Sequence, residues 1–338
     1  MLFELVVVAV FVALAFDFMN GFHDSANAIS TVVATRVLTP GQAVLMAAVG
    51  NLIGPLFFTT AIAATIGKGI IDTKAIQAFL PQETFVVMII AALLGAIFWD
   101  LVTWYFGIPV SSSHALIGGL IGAALVAVGP KFLLAPGITN VLIFMVVSPS
   151  LGFILAYLFG LLVMRLVRHY TPEKVNPIFR KLQLGSAFFY SLTHGTNDAQ
   201  KTMGIITILL VAGGFLSSFD VPLWVIFAAH ISISLGTLFG GWRIVRTMAH
   251  KITHLKPYQG FCAETAGGLV LANMAGLGIP VSTTHAISGS IMGVGATQGL
   301  RSVRWGVSRG IIGAWIITIP VSATVAGLAY LVLHFFIA

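Results

Sequence analysis

The sequence predicts an all-α polytopic membrane protein built from two inverted-topology repeats with broken helices or re-entrant hairpins. Three observations predict it. Of 338 residues, 58% are hydrophobic and only 8% are charged, where soluble proteins carry about 25% charged residues. At least ten stretches are long and apolar enough to approach the roughly 20 residues that a membrane helix needs. Two polar motifs each occur twice, in the same order.

The stretches run over residues 1–36, 41–67, 84–106, 107–128, 138–164, 184–214, 221–241, 260–277, 280–297 and 309–336. The first, read as one helix, would extend about 54 Å, which is longer than a bilayer. A break is expected in it, at the polar run "NGFHD" from Asn20 to Asp24. The N-terminus "MLFEL" lacks the positive region of a cleavable signal. If the chain starts outside, Arg36 and the loops 165–183, 242–259 and 301–309 fall inside, which places 13 of the 17 Lys and Arg there. The opposite orientation would reverse the positive-inside bias. Lys68, Lys74 and Lys131 remain outside, and Lys201 lies within a span.

The repeat is legible directly. "GIPVSSSHALIGG" begins at Gly107 and "GIPVSTTHAISGS" at Gly278, 171 residues later, with eight of thirteen positions identical. "GFHDSANA" at Gly21 aligns with "GTNDAQKT" at Gly195, so that Asp24 meets Asp198 and Asn27 meets Lys201 at an offset of 174. Two matches in one order at nearly one offset divide the chain into a first repeat (1–167), a polar cytoplasmic linker (168–183) and a second repeat (184–338). Five crossings per half make the second half enter the membrane upside down. Inverted repeats with polar, broken helices at the midplane are the architecture of many secondary transporters.

The polar residues divide into two kinds of site. Asp24 and Asn27 are three apart and share a helix face, extended by Asp17 and Asn20. The second copy presents Ser191, His194, Asp198 and Lys201. A charge at membrane depth costs about 3 kcal/mol on insertion scales. The carboxylates therefore serve either as a structural clasp, with Asp198 on Lys201, or as a site for Na⁺ or H⁺. The "PVS" runs differ: Pro opens a helix, hydroxyls cap its free N–H groups, and a helix N-terminus is an anion site. Ser111, Ser112, Ser113, Ser282, Thr283 and Thr284 are the candidate ligands of a tetrahedral oxyanion, with capping and small-residue packing the plainer alternative. Lys201 either contacts the anion or neutralises Asp198. His114 and His285 follow the hydroxyls and are expected to support them by hydrogen bonding. His23 and His194 have weaker cases. Asp100 and Glu264 are intramembrane carboxylates that either hold a coupling cation or hydrogen-bond a broken helix.

Several classes are excluded by what is missing. One cysteine, Cys262, leaves no disulfide framework. There is no Walker A sequence, no H-E-x-x-H and no nucleophile elbow, so an enzyme is not expected and no cofactor is implied. The cations lie between apolar runs, which points to anionic lipid rather than nucleic acid. No selectivity filter argues for a channel, although an ion channel is a competing class.

The runs "FHDSANAIST", "HGTNDAQKTMG", "IPVSSSHALIGG", "IPVSTTHAISGS" and "FCAETAGG" closely resemble the inorganic phosphate transporter (PiT) family. The resemblance covers nearly the whole chain and is that of a compact bacterial member. It implies symport of inorganic phosphate driven by Na⁺ or H⁺ in the bacterial inner membrane by alternating access. It also implies about 10–12 helical segments when broken ones are counted. Carried over by position, Asp24, Asn27 and Asp198 look like cation ligands, with Na⁺ the possible metal. The hydroxyls of 111–113 and 282–284 look like phosphate ligands, with Asn197 and Gln200 nearby. A homodimer and a PhoU-like cytoplasmic partner are further implications. His23 stands where Asn is usual in the family, which bears on the choice of coupling ion. Sulfate, also tetrahedral, is the alternative substrate.

Overall fold

The computed structural model describes residues 2–57 and 60–337. In chain order the helices are α1 (Leu2–Ala34), α2 (Pro40–Ile53), α3 (Ala61–Gly69), α4 (Thr73–Phe79), α5 (Gln82–Phe106), α6 (Ser112–Val128) and α7 (Ala135–Val167). They continue as α8 (Pro172–Ala212), α9 (Leu223–Phe239), α10 (Trp242–His250), α11 (Pro257–Gly276), α12 (Thr283–Ala296) and α13 (Trp305–Ile337). Among the described residues the only β pairing is an isolated bridge between Ile71 and Leu133.

Each expected stretch corresponds to a helix or a bent pair of helices, but the breaks fall elsewhere than in the first stretch. α1 runs 33 residues without interruption through Asn20–Asp24, so the expected break there is corrected. Its second half, from Phe16 to Val32, is almost wholly buried among other helices. Surrounded by protein, that half need not match the hydrocarbon thickness, and a continuous helix of about 50 Å is tolerated. The sharp bends lie one element later. α2 and α3 meet at 85° and α9 and α10 at 70°. The first bend follows Gly54–Pro55, and the second sits on Gly240, whose φ of +66° is left-handed. Phe58 and Thr59, within the expected 41–67 stretch, lie outside the described residues.

The region 168–183 is not a loop throughout. α8 starts at Pro172 with Glu173 in its first turn and continues for 41 residues into the protein interior. Four helices (α1, α5, α7 and α13) are by themselves long and apolar enough to cross a membrane, or six spans if each bent pair is one. The other long elements are shorter or more polar because they face protein. α12 is buried at every one of its 14 residues.

Apart from α4, the order long helix, bent pair, helix, short helix, long helix occurs twice. The packing recurs with it. α1 packs on α9 as α8 packs on α2; α6 on α13 as α12 on α7; α5 on α13 as α11 on α7. Each short helix thus docks on the last helix of the other half. Glycines permit this. A Cβ at Gly122 would strike the Ala323 carbonyl, and one at Gly293 would strike the Phe153 carbonyl. Prolines interrupt both receiving helices, Pro149 in α7 and Pro320 in α13.

Candidate functional site

The two "GIP" glycines set up the site. Gly107 and Gly278 have φ of +66° and +67°, a conformation that glycine adopts without a Cβ penalty. Each ends a helix and turns the chain into a short extended run. Ser111 and Ser282 then cap α6 and α12, accepting from the backbone N–H of His114 and His285 at 3.2 Å in each case. The capping role expected of these hydroxyls is present in both copies. The next hydroxyls, Ser112, Ser113, Thr283 and Thr284, occupy the first turns and are buried.

The two helix starts face one another across the middles of α1 and α8. The rings of His114 and His285 are 4.8 Å apart, and Trp315 stacks on His285 at 3.8 Å. Nδ1 of His114 and Nε2 of His285 have no hydrogen-bond partner. An apolar groove of about 490 Å³, lined by Met145, Phe153, Trp305 and Trp315 among others, lies behind His285 and contains none of the acids.

Between the helix starts sits a fully buried ionic cluster. Lys201 Nζ donates to the Asp198 carboxylate, to Ser113 Oγ and, at 3.2 Å, to the Val281 carbonyl. Its three protons are therefore all taken by protein oxygens, and of its two expected roles the contact present is neutralisation of Asp198. Thr283 Oγ1 donates to Asp198 Oδ2 at 2.9 Å and lies 3.5 Å from Asp24 Oδ2. Thr284 Oγ1 is 3.4 Å from both Asp24 oxygens. Asn27 Nδ2 donates to Thr284 at 2.9 Å and to Thr283 at 3.3 Å, which leaves its Oδ1 buried without a partner. Asp24, Asn27 and Asp198 thus come together as expected.

Histidines lie beside both acids. His23 Nδ1 lies 2.7 Å from Asp24 Oδ1 and its Nε2 3.1 Å from Thr103 on α5. His194 Nε2 lies 3.3 Å from Asp198 Oδ2, while its Nδ1 meets Asn51 Oδ1 at 3.1 Å. Ligand atoms of Asp24, Asp198 and His194 all lie within 4.8 Å of one another. Carboxylate, amide and hydroxyl oxygens form a hard donor set that suits an alkali or alkaline-earth cation.

Other expected residues make their hydrogen bonds outside this cluster. Gln200 accepts from the Ile62 N–H at the start of α3, and Asn197 donates to the Thr193 and Leu271 carbonyls, so their hydrogen bonds run away from the hydroxyls. Asp17 and Asp100 are fully buried, Asp17 beside Thr202 and Asn20 and Asp100 beside Ser112. Glu264 is a clasp: it accepts from Gln183 at 2.9 Å and from Ser186, and Gln183 in turn accepts from Thr35 at 2.9 Å, which ties α11 and α8 to the turn that follows α1. Sequence reasoning passed over Thr103, Gln183, Ser186 and Tyr190. The Tyr190 hydroxyl donates to the Thr283 carbonyl at 3.0 Å and fixes the start of α12. A buried tyrosine in an apolar run carries no motif, so nothing in the chain marks it out.

Comparison with known proteins finds phosphate transporters. The description of the phosphate transporter family matches residues 20–326. A protein of Rhizobium meliloti called "Probable low-affinity inorganic phosphate transporter" is 53% identical, over 97% of this chain and 96% of its own length. One of the same name from Bacillus subtilis is 43% identical, over 98% of this chain and 97% of its own. A solved structure named "The sodium-dependent phosphate transporter" superposes with a TM-score of 0.87 at 24% identity, covering 98% of this chain and 99% of that one, which shows the fold. With both motif pairs gathered into one buried centre and a match over nearly its full length, the chain belongs to the phosphate transporter family.

Proposed function

We propose that this chain carries inorganic phosphate across a bacterial plasma membrane together with a cation, by alternating access. One observation carries the reading: the starts of two buried helices, each bearing a run of hydroxyls, converge on a carboxylate pair with a partnerless amide oxygen. Helix N-termini attract an oxyanion, and carboxylates repel one unless a cation is bound between them. A cation at Asp24, Asn27 and Asp198 removes that repulsion and makes anion entry depend on it. The cation is cargo here, released with the anion. The hard oxygen donors favour Na⁺, and the relatives named for phosphate favour that anion over sulfate.

The paired packing of the two halves, with five segments in each, supports an inverted repeat as the moving architecture. In the present conformation Asp24, Asp198 and Lys201 are each at most 2% exposed. Rocking one half against the other is the motion that would open the centre to either side.

The test is uptake of labelled phosphate into proteoliposomes under an inward Na⁺ gradient or an inward H⁺ gradient, with excess sulfate as competitor. Accumulation driven by the Na⁺ gradient and indifferent to sulfate is the expected result. Uptake of sulfate with none of phosphate would overturn the substrate assignment, and accumulation under the H⁺ gradient alone would overturn the choice of Na⁺.

A further inference from the structure

The repeat relates three groups of one half of the centre, an acid, its neighbour three residues on and a hydroxyl, to three of the other, and among these the chemistry differs at the neighbour, Asn27 against Lys201. The repeat offset of 174 relates Asp24 to Asp198 and Asn27 to Lys201, and the offset of 171 relates Ser113 to Thr284. In space these become two triangles. In the first, Asn27 and Asp24 on α1 meet Thr284 at the start of α12. In the second, Lys201 on α8 links Asp198, on the same helix, to Ser113 at the start of α6. The first triangle holds an acceptor, Asn27 Oδ1, that is buried without a partner. In the second, an ammonium group stands between the carboxylate and the hydroxyl, on three oxygens: Asp198 Oδ1, Ser113 Oγ and the Val281 carbonyl.

We propose that the Lys201 ammonium is a built-in cation, occupying in the second half the place that an exchangeable cation takes in the first. An ammonium and a hydrated-shell-free Na⁺ make the same demand, a few oxygens around one positive charge. The lysine meets that demand covalently and cannot leave with the cargo. Within the two triangles, before the anion enters, there are two carboxylates and one fixed positive charge, so one exchangeable monovalent cation balances these groups. Lys201 thereby takes one place that an exchangeable coupling ion would otherwise fill. Its side chain is fully buried and has no proton left for a second partner. This inference rests on the cation-coupled reading of the centre, and it deepens that reading by assigning one of its cation places.

The prediction is that Lys201→Asn, which copies Asn27 into the second half, gains a cation site. The oxygens left there by the substitution are carboxylate, hydroxyl, carbonyl and amide, a donor set for Na⁺. Purified wild type and Lys201→Asn are titrated with NaCl in detergent, in choline chloride of constant ionic strength and without phosphate, and bound Na⁺ is counted by calorimetry. The variant is expected to bind one more Na⁺ than wild type. Equal counts overturn the proposal. Thermal unfolding of the same samples covers a variant too unstable to titrate: its melting temperature is expected to be depressed in choline and to rise toward that of wild type with Na⁺ alone. A variant that stays unfolded at saturating Na⁺ overturns the proposal. Neither readout uses transport, so absence of phosphate uptake by wild type would sink the functional reading and leave this count standing.

Discussion

Thr283 and Asp198 lie 85 residues apart in sequence, yet the threonine hydroxyl donates to the aspartate at 2.9 Å. The same hydroxyl faces Asp24 at 3.5 Å. One side chain at the start of α12 therefore touches the acids of both halves, and any cation between the acids shares that oxygen.

Thr283→Val keeps the shape of the side chain and removes the oxygen. It leaves a buried acceptor on Asp198 without its donor, a loss of about 1–3 kcal/mol. We expect transport to fall roughly 5- to 150-fold at limiting cation, that loss expressed as a rate or affinity, with normal amounts of protein in the membrane. Uptake measured against Na⁺ concentration checks this, and an unchanged dependence would remove Thr283 from the cation site.

Asp24→Asn and Asp198→Asn should both abolish phosphate uptake, but the second should damage the fold more. Asp198 is the carboxylate on Lys201, and removing one partner of a buried pair costs roughly 3–5 kcal/mol. The double variant Asp198→Asn with Lys201→Met should regain stability while remaining inactive. Melting temperatures in detergent, set beside uptake in vesicles, separate the two effects. Full uptake by either single variant would contradict the assigned roles.

Glu264→Ala should destabilise by about 2–5 kcal/mol, since it deprives both Gln183 and Ser186 of a buried acceptor. Glu264→Gln retains one acceptor oxygen and should cost less. The order of melting temperatures, wild type above Gln above Ala, is the expected outcome. Equal melting temperatures would show that the clasp contributes nothing.

Glycines of α6 and α12 should differ in sign from an open one in α13. Ala at Gly122 or Gly293 drives a methyl group into a carbonyl of the facing helix, an overpacking cost of about 1–3 kcal/mol. Gly313 has no atom within 4 Å of an added Cβ, so Gly313→Ala should be neutral or stabilising by up to about 1 kcal/mol. Thermal unfolding of the three variants decides it.

Much of the site could be read in the chain because duplication marks it. The offsets of 171 and 174 paired Asp24 with Asp198 and the first PVS run with the second, and these are the groups that meet. The break expected at Asn20–Asp24 was misplaced because polar sequence inside an apolar run has two explanations, an unwound segment or a continuous helix facing protein. Choosing between them requires knowing what surrounds α1. Likewise no spacing in the chain says that the Lys201 ammonium lies on Asp198, Ser113 and the Val281 carbonyl, which only the fold brings together. Tyr190 and Thr103 were missed because a single hydroxyl in an apolar helix gives no periodic or repeated signal.

By itself the sequence determined that the chain is helical and membrane-bound, that it is written twice, and which polar residues form pairs. Hydropathy and repetition are properties of the string, fixed before any folding. The tertiary structure decided where the helices bend, that each short helix docks on the last helix of the other half, and that the ammonium of Lys201 lies on Asp198 and Ser113. Those outcomes depend on which residues come within about 3 Å of one another, the range at which hydrogen bonds discriminate, and no spacing along the chain encodes a distance across it.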